Sequence, residues 1–129
     1  MAQTTTPLDN VIRSVRPWGE FEQFVSNERS TTKIITVAPG QRLSLQRHVH
    51  RDELWHVIDG PVHVVVGSDE RTLATGERVF VPRGTIHRMG NPGAAAVRVL
   101  EVAFGDFDED DIERLEDDYS REAQAVPST

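Results

Sequence analysis

Apolar and polar residues alternate along most of the chain with the period of two that strands require, in short runs broken by turn formers. Thr31–Val37 (TTKIITV) is rich in β-branched residues and stops at Pro39-Gly40. Leu43–His50 follows, with Leu43, Leu45, Arg47 and Val49 on one face and Ser44, Gln46, His48 and His50 on the other. Leu54–Ile58 ends at Asp59-Gly60. Glu53, Trp55 and Val57 would share its inner face, and Leu54 and His56 the opposite one. Val62–Val66 (VHVVV) sets His63 against its valines, and short strands at Arg71–Ala74 and Arg78–Val81 come after it. The tight turn Pro82-Arg83-Gly84 leads into a strand from Ile86, and Asn91-Pro92-Gly93 leads into the last long strand, Ala94–Phe104. In that strand Glu101 keeps step with Val97 and Val99. This succession, about eight short strands with no helical period between them, predicts an all-β sandwich or barrel.

The pattern changes after the last strand. Residues 105–122 read GDFDEDDIERLEDDYSRE, with Asp110 three residues before Glu113 as in a capping box. Ile112, Leu115 and Tyr119 would form an apolar stripe, and acidic residues near the start suit a helix dipole, so a short C-terminal helix is expected. Residues 1–12 are expected to be a flexible arm and 123–129 a flexible tail, leaving 13–122 as one domain.

Composition narrows the setting. The chain has 129 residues, and its low hydrophobic content of 37% suits a small core. The absence of cysteine excludes disulfides and thiolate chemistry. No apolar run is long enough to span a membrane, and MAQTTTPLDN lacks the features of a signal peptide, so a cytoplasmic location with no membrane partner is expected. The net charge of -7 argues against nucleic acid as a partner, although much of it is concentrated in 101–118.

Chemistry is concentrated in PGQRLSLQRHVHRDELWHVIDG, residues 39–60. His48, His50 and Glu53 form an HxHxxE cluster, and two imidazoles with a carboxylate suit one divalent transition metal (Zn, Mn, Fe, Co or Ni) better than calcium. In a regular strand His48 and His50 point the same way, with Gln46 beside them.

Two segments together resemble the cupins. Gly40, His48, His50, Glu53 and Gly60 are similar to the first cupin motif, with slightly altered spacings, and Gly76, Pro82, Gly84, His87 and Asn91 match the second throughout. The resemblance implies a double-stranded β-helix (jelly-roll) barrel in which His87 supplies a further metal ligand. A closer resemblance is to the cupin domain of type II phosphomannose isomerases. It is carried by Arg16-Pro17-Trp18-Gly19, Leu43-Ser44-Leu45-Gln46, His50-Arg51, Trp55, His87-Arg88, Asn91-Pro92-Gly93, Glu101-Val102, Glu109-Asp110-Asp111-Ile112 and Asp118-Tyr119. In that family the domain often follows a nucleotidyltransferase domain. None is present in these residues, so guanylyltransferase activity is not expected. Departures include Leu54 where the family often has histidine, and His56 where it usually has an apolar residue.

What the resemblance implies is isomerisation of a sugar phosphate, mannose 6-phosphate to fructose 6-phosphate or a close relative. The metal ligands would be His48, His50, Glu53 and His87. Gln46 is a further candidate, because the wider group uses a Gln-x-His pair. Glu101 and Arg88 are the catalytic candidates, with a structural carboxylate as the plainer reading of Glu101. Lys33, Arg42 and Arg51 are the candidates for holding the phosphate, since guanidinium gives bidentate contacts to it. Two other readings stay open: an Fe-dependent dioxygenase-type or other metal-cupin enzyme, and a non-catalytic sugar-binding cupin. A homodimer is expected, because small cupins commonly cover their open edges by exchanging strands.

Overall fold

The computed structural model describes residues 11–121. Most of the expected arm and the whole of the 123–129 tail lie outside them. In chain order the strands are β1 (Ile12–Arg16), β2 (Gly19–Gln23), β3 (Ser30–Val37), β4 (Leu45–Arg47), β5 (Arg51–Asp59) and β6 (Val62–Val66). They continue with β7 (Asp69–Leu73), β8 (Arg78–Val81), β9 (His87–Gly90), β10 (Val97–Gly105) and β11 (Glu113–Glu116). The architecture is all-β and cupin-like, built of antiparallel sheets. β1 and β2 pair as a hairpin, β3-β10-β5-β8 form a four-stranded sheet, and β11-β4-β9-β6-β7 form a five-stranded one.

The main core lies between the two larger sheets. Ile35, Val57, Val81 and Val99 from one meet Val64 and Met89 from the other, all removed from water. These are mostly β-branched residues, whose stiff side chains suit a pleated surface. Strand β5 is buried on both faces. Trp55 and Val57 enter the main core, while Leu54 on the outer face joins Val102 and Phe104 beneath Val11, Phe24 and Val25. Double burial explains why the run Leu54–Ile58 reads as near-continuous apolar sequence.

Two expectations are corrected. No sheet closes into a barrel: the four-stranded sheet has β3 and β8 as edges, and the five-stranded sheet has β11 and β7. There is also no helix among the described residues. The segment expected to be helical contributes β11, which pairs with β4 through Glu113↔Arg47 and Arg114↔Gln46. Its acidic residues are partners of basic ones across the sheet: Glu113 meets Arg47, and Glu116 meets both Arg42 and Arg88. Leu115 and Tyr119, the supposed apolar stripe, remain exposed. Pairing with β4 satisfies the backbone groups along one side of β11, and the cross-strand cations neutralise Glu113 and Glu116, which favours the strand over a free-standing helix. Among the described residues no helix is long and apolar enough to cross a membrane.

Candidate metal centre

Three ligands converge between the two large sheets. Glu53 comes from β5, His87 from β9, and His48 from the residue after β4. Their donor atoms lie within 4.8 Å of one another, and the residues are 3%, 2% and 1% exposed in the order His48, Glu53, His87. His48 Nε2 is 3.5 Å from Glu53 Oε2, and His87 Nε2 is 3.8 Å from Glu53 Oε1. This buried triad is positioned to chelate a single divalent metal ion.

The hydrogen bonds behind the triad set its chemistry. His48 Nδ1 donates to the Asp111 carbonyl at 2.7 Å, and His87 Nδ1 donates to the Thr85 carbonyl at 2.9 Å. A carbonyl accepts only, so both rings carry their proton on Nδ1 and turn a bare Nε2 inward, the tautomer a metal needs. Burial keeps both rings neutral: it pulls His48 down to about 4 and lowers His87 as well. Burial opposes ionisation of Glu53, but His87, His48 and Arg51 outweigh it and hold the carboxyl below its ordinary value. Trp55 Nε1 donates to Glu53 Oε1 at 3.1 Å and fixes the carboxylate's orientation.

At the cluster, two buried polar atoms of the described residues have no hydrogen-bond partner: His87 Nε2 and Gln46 Oε1. Gln46 lies directly across the sheet from His87, its partner in the β4–β9 register. Orphaned buried acceptors cost free energy unless something binds them. Imidazole nitrogens and a carboxylate oxygen within 4.8 Å of one another, one of them an unpartnered Nε2, are what a transition-metal cation takes, so the residues present fit such an ion.

His50 is not brought to this cluster. The strand stops at Arg47, the chain bends at Val49–His50, and both residues are exposed. Asp111 makes the bend: its carboxylate accepts the Val49 and His50 backbone N–H groups, each at 2.9 Å. The two-residue alternation that would align His48 with His50 is therefore broken one residue after His48. Nothing in the local spacing signals Asp111, which lies more than sixty residues on in a segment that reads as helix.

Arg51 moves the other way, from expected phosphate holder to a side chain buried in the cluster. Its Nε donates to Glu53 Oε2 at 3.0 Å, Nη2 to His48 Nε2 at 3.2 Å and Nη1 to the Asp108 carbonyl at 3.1 Å. The Phe107 ring lies 4.3 Å from its guanidinium carbon and 4.9 Å from Lys33 Nζ. Lys33 also approaches Glu101 at 3.8 Å and Glu109 at 3.9 Å. Residues 105–111 thus form a cap over the triad. Gly105 lets the chain turn into it: its φ is +101°, and a Cβ there would meet the His50 carbonyl at 3.1 Å.

Glu101 is buried, as its place in β10 implies, and faces Lys33 on one side and Trp55 on the other. Burial, then the nearby Glu53 charge, pushes its carboxyl up to about 8. Its nearest cation is Lys33.

Arg88 and Arg42 lie elsewhere. Alternation along β9 sends His87 inward and Arg88 to the outer face, where it donates to the Leu43 carbonyl and to Glu116. Arg42 pairs with Asp118 and Glu116. Both line an outer cleft of about 340 Å³ with His63, which is itself paired with Glu70. Asn91 of the second motif is structural, bonding the Val37 and Ala95 carbonyls and the Gly93 N–H.

Comparison with known proteins agrees with this geometry. Residues 5–117 match the family described as mannose-6-phosphate isomerase C-terminal. The alginate biosynthesis protein AlgA of Pseudomonas aeruginosa is 40% identical over 95% of this chain and 26% of its own length. The xanthan biosynthesis protein XanB of Xanthomonas campestris is 41% identical over 82% of this chain and 23% of its own. The mannose-1-phosphate guanylyltransferase ManC of Salmonella typhimurium is 39% identical over 82% and 22%. The chain therefore spans about a quarter of the length of these relatives. Among solved structures, TT1209 from Thermus thermophilus aligns over 75% of this chain and 85% of its own with a TM-score of 0.57 and 25% identity. CapF from Staphylococcus aureus, a capsular polysaccharide assembling protein, shares the fold over 82% of this chain and 32% of its own at TM-score 0.63 and 20% identity.

Proposed function

Because the chain belongs to the mannose-6-phosphate isomerase C-terminal family, we propose that it is a metal-dependent aldose–ketose isomerase of a sugar phosphate, mannose 6-phosphate to fructose 6-phosphate or a close relative. The observation that carries this reading is the buried His48/Glu53/His87 triad with both Nε2 atoms bare. Gln46 Oε1 is the fourth ligand in this reading, and His50, Arg42 and Arg88 have no part in the centre. The bound cation supplies Lewis-acid polarisation of the sugar carbonyl. Glu101 carries the proton between C1 and C2. Burial and the Glu53 charge raise this carboxyl to about 8 in the metal-free chain, and a cation held by Glu53 would draw it down from there toward the neutral range, where a carboxyl both takes and gives a proton. Lys33, beside Glu101 at the edge of the cap, is the cation that meets the phosphate in this reading. The names of the relatives AlgA and XanB, alginate and xanthan biosynthesis proteins, support polysaccharide biosynthesis as the setting, and a cytoplasmic location belongs to the same proposal.

The test is a coupled assay of mannose 6-phosphate against fructose 6-phosphate after loading with Mn, Fe, Co, Ni or Zn in turn. Turnover that fails on chelation and in Glu101→Gln supports the reading. No turnover with any metal, on hexose or pentose phosphates, overturns it. A second reading has its own support: two histidines and one carboxylate are also the ligand set of non-haem iron oxygenases. Iron retained on purification with substrate-dependent oxygen uptake would favour that. The exposed Ile12, Val15 and Trp18 of the β1–β2 hairpin support a homodimer, in which a second copy covers them. A monomer by light scattering would count against it.

A further inference from the structure

The triad is closed to solvent, and the cation that closes it belongs to the chain. Arg51 is 2% exposed, and its guanidinium reaches three acceptors on separate segments: Glu53 Oε2, His48 Nε2 and the Asp108 carbonyl. Two of these are the lone pairs that the metal needs. The third belongs to the cap. A planar fork with donors on three nitrogens can bridge all three at once, as a lysine cannot. The same guanidinium lies on Phe107, whose ring also holds Lys33, so Arg51 and Lys33 together tie Phe107, Asp108 and Glu109 to the site, while Asp111 is anchored separately on His48, Val49 and His50. His87 Nε2 and Gln46 Oε1 are left without partners, and they are the atoms an incoming ion can engage first.

We propose that Arg51 and the metal compete for His48 Nε2 and Glu53 Oε2, so that metal loading expels the guanidinium, loosens the cap at residues 106–110 while Asp111 keeps its hold on His48, and opens the centre to substrate. Arg51 is a positioning residue in this scheme. Before loading it neutralises Glu53 and keeps the ligands together; after loading it is released to the mouth of the site beside Lys33. Coupling the two steps means that the buried centre is uncovered only when it can act. The inference rests on the metal centre and is independent of which sugar is bound.

The test uses Zn²⁺ as the probe and two readouts other than activity. In the wild-type protein, hydrogen exchange is followed with and without Zn²⁺. Amides of residues 106–110 should exchange several-fold faster with the metal, while those of β4, β5 and β9 slow. In parallel, the affinity for Zn²⁺ of Arg51→Met is measured by chelator competition. Removing a like charge from beside the ion should tighten binding about tenfold or more, and the cap should exchange rapidly even without metal. An ordinary supporting residue would give the opposite sign, a loss of about 10–100-fold. Unchanged or weaker binding in Arg51→Met, or a wild-type cap that Zn²⁺ leaves unchanged or slows, overturns the proposal. If Arg51→Met does not fold, the wild-type exchange decides alone. Binding without either change overturns the competition and leaves the metal centre standing; no binding in either protein overturns both.

Discussion

Replacing Gln46 by leucine separates two effects that most ligand substitutions confound. The Gln46 Oε1 atom is buried with no hydrogen-bond partner, and the residue is 5% exposed. In the metal-free protein that acceptor has lost its water and gained nothing, a cost of about 1–3 kcal/mol. Leucine has nearly the same volume and no polar atom, so metal-free Gln46→Leu should be more stable than wild type by up to roughly that amount. With metal the sign reverses. A four-ligand zinc site is worth about 10–16 kcal/mol in all, and a neutral amide oxygen carries less than an even share of it, roughly 2–3 kcal/mol. Affinity should therefore fall by about 30- to 150-fold. His50→Ala is the control. His50 is exposed, its backbone N–H survives the substitution, and the effect on stability should stay within about 0.5 kcal/mol with affinity unchanged. Urea midpoints in chelator give the first quantity, and competition with a chromogenic chelator gives the second. Undiminished metal affinity in Gln46→Leu, or a loss in His50→Ala as large as that in His87→Ala, would refute the ligand assignment.

Three further outcomes follow from the site. His87→Ala removes a buried imidazole with a bare Nε2, so the purified protein should retain no metal by elemental analysis; full stoichiometry would rule His87 out. Asp111→Ala loses two charge-assisted hydrogen bonds at 2.9 Å on a half-buried carboxylate, which after allowance for solvent screening costs about 2 kcal/mol. Because the bend also orients His48, metal affinity should drop about 10–100-fold, and a calorimetric titration matching wild type would show that the bend forms without it. Glu101→Gln tests the buried carboxyl through pH in chelator-treated protein. The folded chain keeps a proton that the unfolded chain releases above the ordinary value of 4.5, so wild type loses stability from there up to about 8 and no further. Glu101→Gln lacks that loss, and its stability advantage should widen with pH across that window; parallel urea profiles would mean that Glu101 is not a raised, buried acid.

Much of the centre was legible because its signals are local. Glu53, Trp55 and Val57 share a face whatever the sheet does around them, and the β-branched runs Thr31–Val37 and Val62–Val66 have one good solution. The PxGxxH spacing places His87 three residues past a glycine at φ +78°, in a turn whose Gly84 N–H bonds the His48 carbonyl at 2.6 Å. His50 misled because period-two reasoning assumes that the strand continues, and what ends it is a carboxylate distant in sequence. The 105–122 segment misled for a related reason: a capping box and an i, i+3 apolar pair cost nothing to write in sequence, whereas the cross-strand cations Arg47, Arg42 and Arg88 that make β11 favourable are visible only after folding.

Sequence alone, then, determined the all-β class, the inward-facing Glu53 and Glu101, and the presence of a His/Glu metal cluster. These depend on the alternation of side chains within strands that run on unbroken, as β5 and β10 do. Tertiary structure alone decided which polar residues complete the cluster. It left His50 out of the cluster, left the Gln46 Oε1 atom buried without a partner, sent Arg88 and Arg42 to the outer face, and buried Arg51 between two cluster residues and the cap. The physical reason is that a buried cation or acceptor takes its place from whatever partners the fold brings within hydrogen-bond reach, and those partners come from segments far apart in the chain.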